Sequence, residues 1–224
     1  MTNNNVSPTV LKEYKSQGVI LLKRLVEQDC VEKLRAAAEY SLSNPGPLAR
    51  EYPPESGQGR FFTDLFLWLT DGSLQKFVRD SCLPAIAAQF LESSRVNLFY
   101  DQVFVKEPGT SNSSPWHQDL PYWPLHGNQV LSFWVALDIV TAESGGLEFV
   151  VGSHLWAKRY QPFSFAGRNH FTRDPTLELI PDIAAMRNDL EIAAFDMAPG
   201  DVLVFDARIV HGAGGNRRSD VRRR

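Results

Sequence analysis

The sequence is short of most features that mark a specialised scaffold. It has 2 cysteines among 224 residues, Cys30 and Cys82. They lack CxxC spacing and both fall in amphipathic, helix-like stretches. That excludes a disulfide framework and a thiolate zinc site, and leaves the expectation of buried thiols in a reducing compartment. No apolar run approaches the roughly eighteen residues a membrane-spanning helix needs. The opening MTNNNVSPTV has neither the basic region nor the apolar core of a secretory signal. Neither sign of charge dominates, with 23 Lys and Arg against 26 Asp and Glu. Phosphate backbones are gripped by a clustered basic excess, so no nucleic-acid partner is expected. Internal repeats and low-complexity tracts are also missing. These absences lead to the expectation of a cytoplasmic globular protein with no membrane or nucleic-acid partner, whose length suits one domain.

What is present divides the chain. GVILL (18–22) reads as a strand. EQDCVEKLRAAAEYSL (27–42) carries apolar residues at helical spacing, and LPAIAAQFL (83–91) reads as a second helix. NPGPLAREYPPESGQGR (44–60) is rich in Pro and Gly and reads as a long loop. Strand-like runs follow at 96–108, 130–140, 147–154, 201–213 and 216–224, divided by Gly, Pro and Ser. Helices first and strands later suit an α+β protein, mainly β, in which helices from about 1–95 support a sandwich or barrel over about 96–224. The expectation is one domain over 1–224.

The stretch PWHQDLPYWP (115–124) holds His117 and Asp119. Strand alternation places both on one face, with Gln118 turned away. Such a pair supplies two ligands to a metal and needs a third. His211 follows a strand-like run and precedes a glycine-rich turn. His126, His154 and His170 read as structural histidines. Two imidazoles and one carboxylate form the 2-His-1-carboxylate triad of non-haem Fe(II) oxygenases, which leaves coordination positions open for a bidentate cosubstrate and dioxygen. The HExxH of a thermolysin-type zinc site is absent. A 2-oxo diacid cosubstrate has a far carboxylate that requires a fixed cation, and Arg pairs with it bidentately. Arg222 lies eleven positions after His211. Two strands joined by GAGGN are expected to bring these residues into one pocket, with Arg222 and Arg224 pointing one way and Arg223 the other.

WHQDLPYWP, FWVALDIVTAESGGLEFVVGSH and PGDVLVFDARIVHGAGGNRRSDVR together resemble the phytanoyl-CoA dioxygenase family of Fe(II)- and 2-oxoglutarate-dependent oxygenases, from about residue 18 to the end. The resemblance implies a double-stranded β-helix, a cupin-like jelly-roll of two facing sheets with helices outside. It implies Fe(II) as metal, with 2-oxoglutarate and O2 as cosubstrates. His117, Asp119 and His211 match the iron ligands, and Arg222 the arginine holding the far carboxylate. Trp134 matches a tryptophan lining the cosubstrate site, and Gln102 falls where a further cosubstrate contact is made. Gly145, Gly146 and Asn216 match structural positions.

The implied reaction is hydroxylation of an aliphatic C–H bond of a small metabolite, with release of succinate and CO2. The alternatives are an acyl-CoA or carrier-bound thioester as substrate, or a non-catalytic jelly-roll binding module. Related halogenases replace the carboxylate ligand with a small residue, so Asp119 favours hydroxylation. Desaturation, ring closure and epimerisation stay open. The chain departs from the family at Ala213, where members often carry a hydroxyl that helps the arginine. The final strand is expected to continue past Arg224. Tyr122 and Trp123, directly after the ligands, are candidate substrate contacts. Arg60 and Lys106 are expected on the surface. The segments 44–60 and 161–190 are lid candidates. Nothing in the sequence sets the oligomeric state.

Overall fold

The computed structural model describes residues 5–52, 59–164 and 171–224. The elements run α1 (Pro8–Gln17), β1 (Val19–Leu22), α2 (Gln28–Ser43), β2 (Arg50–Tyr52), β3 (Phe61–Leu65), α3 (Gly72–Asp80), α4 (Leu83–Phe90) and β4 (Gln102–Lys106). Then follow β5 (Ser114–His117), β6 (Leu131–Val135), β7 (Leu147–Val150), β8 (Ile192–Ala194), β9 (Val202–Asp206) and β10 (His211–Ala213). They form antiparallel sheets of order β1-β9-β6, β5-β10-β7-β8 and β2-β3-β4.

Strand alternation sorts side chains between two environments. In β9, Leu203 and Phe205 pack with Val19 of β1, Trp134 of β6, and Leu147 and Phe149 of β7, so the first two sheets face each other across this cluster. The intervening Val202 and Val204 point the other way, into clusters built with the helices. All five residues of β9 are buried, as expected of a strand covered on both faces. β6 obeys the same rule. Leu131, Phe133 and Val135 meet the helical side. Ser132 and Trp134 therefore face the interior.

The helices are specified locally. Ser7 caps α1 by accepting from the Val10 N–H, and Pro8 fills the first turn, where an N–H has no helical partner anyway. Gly18 ends the helix at φ 84. A Cβ there would lie 2.4 Å from His154 Nδ1, so glycine is required by both backbone and neighbour. α2 buries Val31, Leu34, Ala37, Ala38 and Leu42, a stripe at helical spacing. Asp71 caps α3 through the Ser73 and Leu74 N–H groups.

Several expectations change. The loop 44–60 contains β2, and its residues 53–58 lie outside the described residues. Cys30 and Cys82 are free and only half-buried. Lys106 is fully buried at 0% exposure instead of lying on the surface, because it sits on the inward face of β4. The run 216–224 is not a ladder-forming strand. Its ordered pairing is one bridge, in which Arg223 and Lys106 exchange both backbone hydrogen bonds at 2.8 and 3.0 Å. The Leu137 N–H donates to Arg224 O at 3.0 Å, so the tail ties β4 to the segment just after β6. Among the described residues no helix is long and apolar enough to cross a membrane.

Candidate metal centre

His117 on β5 and His211 on β10 are direct cross-strand partners. Their ring centroids are 4.3 Å apart. Each Nδ1 lies against a main-chain carbonyl, Pro115 O at 2.7 Å and Ile209 O at 3.1 Å. A carbonyl only accepts, so each Nδ1 carries the proton and each Nε2 presents its lone pair. Asp119 Oδ1 sits 3.5 Å from His117 Nε2 and 3.6 Å from His211 Nε2. One ligand atom from each of the three residues lies within 4.8 Å of the others.

Asp119 reaches this point by a route other than strand alternation. β5 ends at His117, and Asp119 has helical angles, φ -71 and ψ -46, at the start of a single 3-10 turn, Leu120–Tyr122. Pro121 fits the first turn of that helix, where its missing N–H costs nothing. Gln118 is turned away as expected, and its amide is fully used. It donates to Lys158 O and Arg208 O and accepts from the Tyr160 N–H, which locks the chain on either side of the ligand pair.

The charge states suit metal binding. Burial and the neighbouring His117 push His211 down to about 4, so it is neutral near pH 7. Burial acts to raise the Asp119 carboxyl. The two imidazoles and the Ser132 hydroxyl overcome this and hold it below the ordinary range. Ser132 Oγ donates to Asp119 Oδ2 at 3.1 Å, leaving Oδ1 towards the histidines. Sequence reasoning passed over Ser132, although its position two residues before Trp134 on an alternating strand marks it as inward-facing. Two imidazole Nε2 atoms and one carboxylate oxygen are a donor set suited to Fe(II). Of the remaining histidines, His126 is exposed, His154 is buried with Nε2 on Lys15 O at 3.2 Å, and His170 lies outside the described residues.

The profile of the phytanoyl-CoA dioxygenase (PhyH) family matches residues 14–224. The chain belongs to this family. Among its relatives, the dioxygenase aneA of Aspergillus aculeatus is 23% identical over 97% of this chain and 70% of its own length. Three other fungal dioxygenases are matched over 35% to 49% of their length, so the chain spans half or less of those relatives. The structure of the carbocyclase SnoK from nogalamycin biosynthesis superposes with a TM-score of 0.77 at 27% identity, covering 100% of this chain and 83% of that one. EctD from S. alaskensis shares the fold, with a TM-score of 0.76 at 21% identity over 100% of this chain and 76% of that one. The double-stranded β-helix is thus the observed architecture.

Within this PhyH family member the tail alternates as expected, but its inward residue differs. Arg222 and Arg224 both reach Glu39 Oε1 of α2 at 2.5 Å. Arg222 also lies 3.5 Å from Glu107, and Arg224 grips Asp138 with Nε and Nη2, each at 2.8 Å. These carboxylates draw Arg222 away from the triad. Arg223 turns inward instead, is 2% exposed, and places its guanidinium 5.4 Å above the Trp134 ring. Its Nε and Nη1 are buried and have no hydrogen-bond partner among the described residues. Burial lowers its pKa to about 10, so it remains a cation.

Trp134 accordingly occupies the interior, two residues beyond Ser132. Gln102 is half-buried and shares a face of β4 with Lys106 by alternation. Tyr122 sets its ring edge-on to His117, with centroids 5.7 Å apart. Its hydroxyl donates to Phe163 O at 3.0 Å and accepts from the Phe163 N–H at 3.1 Å. Trp123 stands edge-on to Phe99 and Tyr100 at 5.7 and 5.6 Å. Asn216 donates to Lys106 O and Val221 O, a structural tie.

Proposed function

We propose that the chain is an Fe(II)- and 2-oxoglutarate-dependent dioxygenase that hydroxylates an aliphatic C–H bond of a small metabolite, with release of succinate and CO2. The observation that carries this reading is the triad, whose two Nε2 atoms and one carboxylate oxygen converge on a single point. Bound Fe(II) would supply dioxygen activation coupled to oxidative decarboxylation of the cosubstrate.

The chain's own residues have separate tasks. His117, Asp119 and His211 would hold the metal through two Nε2 atoms and one carboxylate oxygen. The carbonyls of Pro115 and Ile209 keep both imidazoles in the ligating tautomer. Ser132 keeps Asp119 ionised and oriented. Arg223, not Arg222, is the residue assigned to the far carboxylate of 2-oxoglutarate, on the strength of its buried, unpartnered guanidinium. Trp134 forms the wall beneath it, and Gln102 is retained as a cosubstrate contact. Tyr122 and Trp123, with Phe99 and Tyr100, form an aromatic wall beside the triad that would meet apolar substrate. Burial pushes the Tyr122 hydroxyl up to about 12, so it acts as a hydrogen-bond donor and not as a base.

A small metabolite is favoured by this wall and by relatives whose names refer to small molecules, a carbocyclase from nogalamycin biosynthesis and an ectoine dioxygenase. An acyl-CoA or carrier-bound thioester is the alternative substrate. The intact ligand set argues against a non-catalytic module, and the carboxylate of Asp119 against halogenation. The helices of 1–95 and the strands of 96–224 are taken to work as one cytoplasmic domain. That β1 lies in the same sheet as β9 and β6 supports one domain.

The test is succinate formation by Fe(II)-loaded protein across amino acids, acyl-CoAs and phosphonates. His117→Ala should abolish turnover. Full turnover in that variant would overturn the ligand assignment.

A further inference from the structure

Lys106 is the buried ionisable group that the triad leaves unused. Lysine is almost never fully buried unless paired. Yet Lys106 is 0% exposed, and among the described residues no carboxylate pairs with it. Its Nζ donates to Gly214 O at 2.6 Å and stands 4.9 Å from the centre of the Phe61 ring. An ammonium has three donors, so two remain after Gly214. Lys106 and Arg223 exchange both backbone hydrogen bonds, which sets their side chains on one side of the sheet. Arg223 is also buried and without a carboxylate partner, as described above. Two desolvated cations side by side repel each other and call for an anion between them. Burial, and then the charge of Arg223, push Lys106 well below its ordinary pKa, and a carboxylate bound between the two side chains would oppose both effects and hold Lys106 as the ammonium.

Position matters as much as charge. Gly214 follows Ala213, the site where the family resemblance leads one to expect a hydroxyl. The Lys106 ammonium therefore sits next to the place where that hydroxyl would be. We infer that Lys106 and Arg223 together cradle the far carboxylate of the cosubstrate, with Lys106 substituting for the hydroxyl that Ala213 lacks. Arg223 takes one or both oxygens with its planar fork, and Lys106 takes the remaining lone pairs. Lys106 is a binding residue for the cosubstrate and touches neither metal nor substrate. This inference rests on the dioxygenase reading above.

The experiment compares two ligands of equal chain length, 2-oxoglutarate and 2-oxopentanoate, which lacks the far carboxylate. Both are titrated anaerobically into Fe(II)-loaded protein and followed by calorimetry. Lys106→Met should weaken 2-oxoglutarate by ~10- to ~100-fold, the loss of one hydrogen bond to a charged group. It should leave 2-oxopentanoate unchanged. Adding Ala213→Ser to Lys106→Met should restore part of the lost affinity. If Lys106→Met does not fold, Lys106→Gln is read in the same way. Equal losses for both ligands, or no loss for either, overturn the assignment of Lys106 while leaving the dioxygenase reading intact. Wild-type protein that fails to bind 2-oxoglutarate overturns both.

Discussion

The two neighbouring arginines of the tail offer a decisive comparison. Arg223→Leu removes a guanidinium that is 2% exposed and has two buried nitrogens without partners. Removing a buried cation that lacks a counter-charge is neutral or stabilising in general. Its stacking over Trp134 offsets this by ~0.5 to ~2 kcal/mol. The apo protein should therefore keep its melting temperature within a few degrees. Cosubstrate binding should behave differently. Truncating one partner of a buried, hydrogen-bonded charge pair costs roughly 2 to 5 kcal/mol, which is ~30- to ~4,000-fold in Kd. Arg222 is one-third exposed and holds Glu39 and Glu107. Exposed pairs contribute about 0.2 to 1 kcal/mol, so Arg222→Leu should cost a little stability and less than ~5-fold in 2-oxoglutarate affinity. Anaerobic titration with 2-oxoglutarate and thermal melts of both variants supply the readings. A large loss of affinity in Arg222→Leu with near-normal binding in Arg223→Leu would refute the inward placement of Arg223.

Other outcomes follow from the triad. Ser132→Ala removes the hydrogen bond that orients Asp119 and should raise the Fe(II) dissociation constant ~10- to ~100-fold, as measured by competition with a chelator. Tyr122→Phe breaks both hydrogen bonds to Phe163, so amide exchange at Phe163 should accelerate while metal affinity stays near wild type. His211 is neutral in the folded state with its pKa lowered from 6.5 to about 4, so the unfolded chain binds more protons between those values. Stability of the metal-free protein should be fully present above pH 6.5 and fall as pH drops towards 4, by roughly 2 kcal/mol between pH 7 and pH 5 in chemical denaturation. An apo stability flat over that range would contradict a buried neutral His211.

The sequence carried the ligand set clearly, because His117, Asp119 and His211 are fixed by chemistry that few residue types can perform. It carried α2 and α4 through apolar spacing, and β9 through a run buried on both faces. Two things were hidden. Alternation along the tail divided Arg222 and Arg224 from Arg223 correctly, but period alone does not say which set faces inward. Glu39, far away in sequence, and Asp138 decide that by pairing with the outward set. Lys106 was hidden for the opposite reason, since a lysine at the end of a strand is ordinarily a solvated residue. Asp119 was placed correctly by an incorrect route, because the turn after His117 does what strand alternation was expected to do. β3 and α3 were not read as elements from the sequence.

The hold of Glu39 on the tail also bears on the order in which the protein assembles. The contacts of Arg222 and Arg224 with Glu39 join residues 183 and 185 positions apart. The three metal ligands lie within 117–211, so their strands can pair before the tail is docked. The cradle for the far carboxylate needs α2 in place and the last residues drawn across β4. Contacts of such sequence separation form late. During refolding, metal capture is expected to precede cosubstrate capture, because the second also needs opposite ends of the sequence to meet.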